Sequence, residues 1–236
     1  MSKTLLCLSG WAQKHDSLEI VFTNSSIKND YKIYSLDYSN FDSVDDFFQK
    51  LKETSHCEIA MGWSLGGQLL IRAIANNIIN PKLLILLAPP FQMLKDSRIN
   101  SGMSQELYKK INDLLDNDSS IMLKEFLILN AMNDRNSKEI IKSLAINQKN
   151  FKQIKFWYEE LCRFSCFDLD MSKMPAILYF HGSGDMVVNI SQKDYFQKYC
   201  HNFKSNIFNK CGHAPHISRT QEVYQAIEDE IKHLQL

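Results

Sequence analysis

The sequence predicts an α/β fold, a mainly parallel sheet with helices on both faces and an all-helical lid inserted between two strands. Short β-rich runs alternate with longer helical patterns, as crossover-connected parallel strands require. Between Phe91 and Lys173 the β signal stops and only helical spacing remains. A Gly-x-Ser-x-Gly turn stands between the end of one β run and the start of a helical pattern.

Leu5–Leu8 is the first strand and ends at Ser9-Gly10-Trp11. Tyr31–Asp37 alternates apolar and polar residues and gives the second. Asp45–Leu51, with Phe47, Phe48 and Leu51 at helical spacing, leads to a third strand at Ile59–Met61. A helix follows from near Gln68, carrying Leu69, Leu70, Ala73, Ile74 and Ile78, and then a fourth strand, Leu83–Leu87, which Pro89-Pro90 stops. The lid patterns are Leu107/Ile111/Leu114/Leu115, Met122/Phe126/Leu129 and Phe151/Ile154/Tyr158/Leu161. Ala176–Phe180 and Ser205–Phe208 are the last strands, and Glu222–Leu234 is the closing helix. Without repeats or low-complexity linkers, residues 1–236 read as a single domain, with a lid at about 91–173 set into a core formed by 1–90 and 174–236.

Lys+Arg and Asp+Glu number 27 each, so there is no global field to attract nucleic acid or an anionic membrane. A small molecule or a single protein is the expected partner, and the chain is expected to be a monomer. No apolar run approaches the ~20 residues of a membrane-spanning helix. Cys7, Cys57, Cys162, Cys166, Cys200 and Cys211 form no CxxC pair and follow no signal peptide, which predicts free thiols in a reducing cytoplasm. Cys162 and Cys166 lie one helical turn apart, but nothing nearby completes a metal site. No metal and no cofactor is expected.

Glycine is scarce, with only 8 residues, and all but Gly102 fall in four loops that follow strands. One of these loops is Gly62-Trp63-Ser64-Leu65-Gly66-Gly67, whose strand-turn-helix context is that of a nucleophile elbow. A serine hydroxyl needs a base, and the base needs an orienting carboxylate, in chain order acid then histidine. Asp185 in His181-Gly182-Ser183-Gly184-Asp185 and His213 in Cys211-Gly212-His213-Ala214-Pro215 both follow strands and fill these roles. His181 is the nearest rival base but precedes the acid and reads as structural; His216 reads as lining the pocket mouth. His15, His56, His201 and His233 read as solvent-facing, and Asp168 and Asp170, which precede their strand, suit a lid junction. For an oxyanion hole, the backbone N–H of Leu65 is the first donor and that of Trp11 the second, by position. Trp11 equally suits a wall of the acyl pocket.

Together these residues resemble the α/β-hydrolase family, and more narrowly the pimeloyl-[acyl-carrier protein] methyl ester esterases of biotin synthesis. The resemblance rests on Ser9-Gly10-Trp11 for a His-Gly-Trp, on the whole of Gly62–Gly67, and on Gly212-His213-Ala214-Pro215-His216-Ile217-Ser218 for a His-Ala-Pro-Phe-Ile-Ser run. Phe126-Leu127-Ile128-Leu129-Asn130 is similar to the family's acyl-contacting lid segment, so Trp11, Ser64, Leu65, Phe126, Leu127, Ile128, Leu129, Asn130 and His213 are implied to line the substrate site. The same five lid residues also read as the buried face of a helix. The resemblance further implies an acidic acyl-carrier protein as partner. Lys138 and Lys142 match two of the family's basic positions, Lys124 is a substitute, and Ile121 and Glu125 stand where two others would be basic. Ser9 and the segment Asp37–Phe41 depart from the family pattern and bear on the substrate. The implied activity is hydrolysis of the pimeloyl methyl ester. A broad short-chain carboxylesterase or acyl thioesterase, and a non-catalytic binding protein of the same fold, are the alternatives.

Overall fold

The computed structural model describes residues 3–54, 56–144 and 151–236. Its centre is six parallel strands: β1 (Lys3–Leu8), β2 (Tyr31–Ser35), β3 (Ile59–Trp63), β4 (Leu83–Leu87), β5 (Ala176–Gly182) and β6 (Phe203–Phe208). They lie in the order β2-β1-β3-β4-β5-β6. Leu5 pairs with Ile59, Ile59 with Leu83, Leu83 with Ala176, and Ile177 with Phe203. Period-two alternation divides the central strands between two cores. Leu6, Leu8, Ala60, Leu84, Leu86, Ile177 and Tyr179 face one core, whereas Leu5, Cys7, Ile59, Met61, Ile85, Leu178 and Phe180 face the other.

The helices are α1 (Ile27–Asp30), α2 (Val44–Leu51), α3 (Leu65–Ala75), α4 (Gln105–Asn117), α5 (Ser119–Ala131), α6 (Ser137–Ser143), α7 (Phe151–Arg163), α8 (Lys193–Tyr199), α9 (Pro215–Ser218) and α10 (Thr220–Leu234). Phe47, Phe48 and Leu51 of α2 and Leu69, Leu70, Ala73 and Ile74 of α3 close the first core; Val223, Ile227 and Ile231 of α10 close the second. Side-chain caps start three of these helices: Ser43 accepts from the Asp46 N–H, Ser104 from Leu107, and Asp118 from Ile121.

Each sequence-predicted strand is present, and four helices, α4 to α7, separate β4 from β5. The Phe151 side chain of the last helical pattern lies outside the described residues. Helix α3 starts earlier and ends earlier than its apolar pattern predicts. Asn77 at φ 55° lets its N–H reach the Ile74 carbonyl and the Ile78 N–H reach that of Ala73, a left-handed cap that turns the chain before Ile79. Helix α8, which joins β5 to β6, has no counterpart in the sequence reading. Among the described residues, no helix is long and apolar enough to cross a membrane.

The strand order reverses direction between β1 and β3, and the crevice beyond the carboxyl ends at such a point is where open α/β sheets bind ligands. Helix α3 reaches this edge only because its first turn lacks a side chain at Gly66: a Cβ there would lie 2.1 Å from the Leu8 carbonyl oxygen and 2.5 Å from that of Ser9. Both are backbone atoms, at the end of β1 and just past it, which cannot swing aside as a side chain would. Gly66→Ala is therefore expected to cost about 2–3 kcal/mol, at the upper end for overpacking, read as a lowered urea midpoint with unchanged m-value.

Candidate active site

Ser64 is the single residue between β3 and α3, at φ 51° and ψ −117°, a conformation L-residues rarely adopt. Its N–H donates to the Leu87 carbonyl of β4 at 2.9 Å, and its carbonyl accepts from Gln68 N–H at 3.2 Å, so the turn is tied to the sheet on one side and to the helix on the other. A Cβ at Gly62 would meet the Gly67 backbone at 2.6 Å, so the two ends of this turn touch.

Asp185 leaves the loop after β5 with its carboxylate fully buried. Oδ1 accepts the N–H groups of Val187 and Val188 at 2.8 and 2.9 Å. Oδ2 lies 2.7 Å from His213 Nδ1 and 3.0 Å from His181 Nε2. Burial pushes the carboxyl pKa up, but the His213 charge and the hydrogen bonds from His181 and His213 outweigh it and hold it well below the usual range.

His213 follows β6 and is fixed through its backbone. Its N–H donates to the Asn130 carbonyl at the end of α5 (2.9 Å), and its carbonyl accepts from Trp63 Nε1 (2.8 Å). The preceding Gly212 N–H donates to buried Asp134 (2.7 Å), which also accepts from Ser218 Oγ and the Asn136 N–H. The structure thus brings Asp185 and His213 into direct contact. His213 Nε2 is buried without a hydrogen-bond partner among the described residues, and Ser64 Oγ is not bonded to it. The backbone N–H groups of Trp11 and Leu65 likewise donate to no protein acceptor among those residues.

A largely apolar cavity of about 290 Å³ opens beside Asp185. Trp11 lines it, with its indole N–H donating to the Ile154 carbonyl at 2.8 Å and its ring edge-on to Phe126. Of the five lid residues singled out, Phe126 and Leu129 line this cavity. The other three do not: Leu127 packs against the second core, Ile128 is 51% exposed, and Asn130 is buried with its amide on the Phe126 carbonyl. Helical spacing sets Leu127 and Ile128 apart from 126 and 129, whereas Asn130, one turn past Phe126, has its amide drawn back onto the helix. Ser64, Leu65 and His213 lie outside the cavity lining, although Ser64 and His213 are buried at the adjoining strand ends.

Lys124 on α5 and Lys138 and Lys142 on α6 are exposed and make no ion pair among the described residues. His15, His56, His201 and His233 are exposed, and all six cysteines are buried free thiols. His216 departs from its expected place at the pocket mouth. It is fully buried against Trp63 with ring centroids 4.5 Å apart, and neither ring nitrogen finds a partner among the described residues. The roles of His181 and Asp134 have no signal in the sequence beyond their residue types, because both depend on how three loops meet.

No protein-family model matches the chain. It is 23% identical over 235 residues to the pimeloyl-[acyl-carrier protein] methyl ester esterase of Aliivibrio fischeri (strain MJ11), covering 92% of this chain and 89% of the relative. Among solved structures it is similar to the esterase EaEST from Exiguobacterium antarcticum, with TM-score 0.84, 14% identity and coverage of 98% and 92%. It is also similar to a bromoperoxidase from Bacillus anthracis, with TM-score 0.82, 15% identity and the same coverage. The protein has the α/β-hydrolase fold, and its sequence resembles the pimeloyl-[acyl-carrier protein] methyl ester esterases.

Burial, followed by the neighbouring His213, lowers the His216 pKa from 6.5 to about 3. Above pH 6.5 the ring is neutral in both folded and unfolded chains and contributes no pH dependence. Between pH 6.5 and about 3 only the unfolded chain takes the proton, so stability is lost as the pH drops. His216→Phe removes this linkage and the unpaired ring nitrogens together. The variant should show a shallower loss of Tm between pH 6 and 4 than the parent chain, measured by thermal denaturation.

Proposed function

We propose that the protein is a serine carboxylic ester hydrolase whose substrate is the methyl ester of pimeloyl-[acyl-carrier protein]. The observation that carries the reading is the buried Asp185–His213 hydrogen bond, set beside the strained Ser64 turn at the carboxyl ends of the strands. In this reading Ser64 Oγ attacks the ester carbonyl while His213 Nε2 takes its proton. The Trp11 and Leu65 N–H groups bind the oxyanion, and each such donor is worth roughly 3 kcal/mol in the transition state. Collapse of the tetrahedral intermediate expels methanol, with the proton returned by His213, and water then releases the acyl group by the same steps. Asp185 holds the imidazole with its proton on Nδ1 and stabilises the charged ring that forms.

Helices α4 to α7 act as the lid. Phe126 and Leu129, with Trp11 and Tyr158, provide the apolar wall that a chain of methylenes requires. Lys138, Lys142 and Lys124 stand on the outer surface of the same insertion and suit an acidic carrier, in keeping with the relative of that name. A second reading, a broad short-chain carboxylesterase or acyl thioesterase, is favoured by Met93, Met103, Met122 and Met186 in the cavity wall, since methionine adapts to differing shapes.

Ser64→Ala should abolish ester turnover, and Asp185→Asn should lower kcat by about 10³–10⁴ through the wrong imidazole tautomer. Ser64→Ala retaining turnover above background would refute the serine mechanism whichever ester is used, and absence of turnover in the parent protein would leave the non-catalytic reading. Purified protein should hydrolyse the carrier-linked pimeloyl methyl ester in preference to 4-nitrophenyl acetate; the reverse preference selects the broad esterase. Lys138→Glu with Lys142→Glu should raise KM for the carrier-linked ester and leave that for the small ester unchanged. An equal effect on both removes carrier docking.

A further inference from the structure

His181 takes no part in the chemistry above, yet it is built into the shell of the acid. It lies near the end of β5, fully buried, four residues before Asp185. Its Nε2 is 3.0 Å from Asp185 Oδ2 and 3.0 Å from the Val188 carbonyl oxygen. Each of these is an acceptor with no hydrogen to give, so Nε2 carries the ring's proton. Nδ1 lies 2.6 Å from Tyr179 Oη and accepts from it. Burial, with the Asp185 and Asp194 charges, pushes the Tyr179 hydroxyl well above its ordinary pKa, which keeps it a donor.

An ionised carboxylate offers about four acceptor positions. Asp185 takes three full hydrogen bonds, from the Val187 and Val188 N–H groups on Oδ1 and from His213 on Oδ2, and its fourth position faces the His181 Nε2–H, which is shared between Oδ2 at 3.0 Å and the Val188 carbonyl. The carboxylate therefore cannot turn about its own axis without breaking a bond, and the shared His181 N–H is the remaining donor on the His213 side. His216 and the Trp63 ring face His213, and Asp194 acts on Tyr179, but none of them donates to Asp185.

We propose that His181, oriented by Tyr179, is a positioning residue that fixes Asp185 Oδ2 towards His213 and limits the negative charge Asp185 presents to it. This rests on the serine-hydrolase reading. Removing the His181 donor leaves one buried lone pair unpaired. The carboxylate then becomes more basic and freer to rotate, so the base holds its proton to higher pH and is aimed less well.

The test compares His181→Phe, which keeps a ring without a donor, with His181→Gln, which keeps an N–H near the Nε2 position, and with Tyr179→Phe. Turnover of 4-nitrophenyl acetate is followed against pH. In His181→Phe the acid limb of kcat/KM should move up by about one pH unit, the tenfold scale of one lost hydrogen bond to a charged group. kcat should fall about tenfold with KM unchanged, the mark of a lost transition-state interaction. Tyr179→Phe should move the limb less in the same direction, and His181→Gln should stay near the parent. Equal losses in the Gln and Phe variants, or a fall in kcat with an unmoved acid limb, would overturn the proposal. Should His181→Phe not fold, Tyr179→Phe decides by the same limb. Nitrogen NMR of the histidine rings in Ser64→Ala protein tests the inference without turnover. A proton found on His181 Nδ1 rather than Nε2 refutes it, whereas an inactive parent enzyme refutes only the hydrolase reading.

Discussion

Everything at the carboxyl edge of the sheet depends on the tight passage from β3 into α3. The helix axis can come within backbone contact of β1 only because Gly66 presents no side chain to Leu8 and Ser9. The chain can turn that sharply only with Ser64 at positive φ. Two further non-glycine residues at positive φ, Ala12 and Ala88, follow β1 and β4, the strands on either side. Such residues cost of order 1–3 kcal/mol each and persist where their surroundings leave no alternative. Here the surroundings are the fully buried strands β3 and β4, whose every side chain lies in one of the two cores. The strain lies beside Ser64, Leu65 and Trp11, the residues read as nucleophile and oxyanion donors.

A second dependence links the helical insertion to the histidine loop. Asn130 at the end of α5 accepts the His213 N–H, Asp134 accepts the Gly212 N–H, and the Arg135 N–H donates to the Lys210 carbonyl. Buried Arg219 ties down the other side of the loop through the Asn209 and Lys210 carbonyls. The helix that carries Phe126 and Leu129 into the cavity therefore also sets where the imidazole stands. On the hydrolase reading, acyl contact and base placement thus belong to one helix, so the insertion is part of the site's construction.

The strands were legible because a parallel strand buried on both faces is a short apolar run, and Leu83–Leu87 can be little else. Helix α8 was not legible: in seven residues it buries only Phe196, too little to show a helical period. Glycine placement pointed to the four site loops, but for a reason the sequence does not carry. No glycine has positive φ; Gly66, Gly62 and Gly182 are needed where backbones touch. Ser64, Asp185 and His213 could be singled out by motif and chain order, whereas His181 and Asp134 act through loops that meet only in three dimensions. His216, placed by sequence at a pocket mouth, is inside, with its ring packed against Trp63.

The unpaired Nε2 of His213 follows from the same economy of motion. Asp185 is held by three hydrogen bonds and the shared His181 N–H, and both backbone groups of His213 are bonded. Ser64 is held at its N–H by β4 and at its carbonyl by α3. With both partners fixed through their backbones, rotation about the Ser64 Cα–Cβ bond is the cheapest motion left for bringing the hydroxyl towards the base. A side-chain rotation crosses between staggered wells on the picosecond to nanosecond scale when unhindered. On the hydrolase reading, a turn of the Ser64 side chain is thus the motion that the two anchored backbones leave for closing the last hydrogen bond.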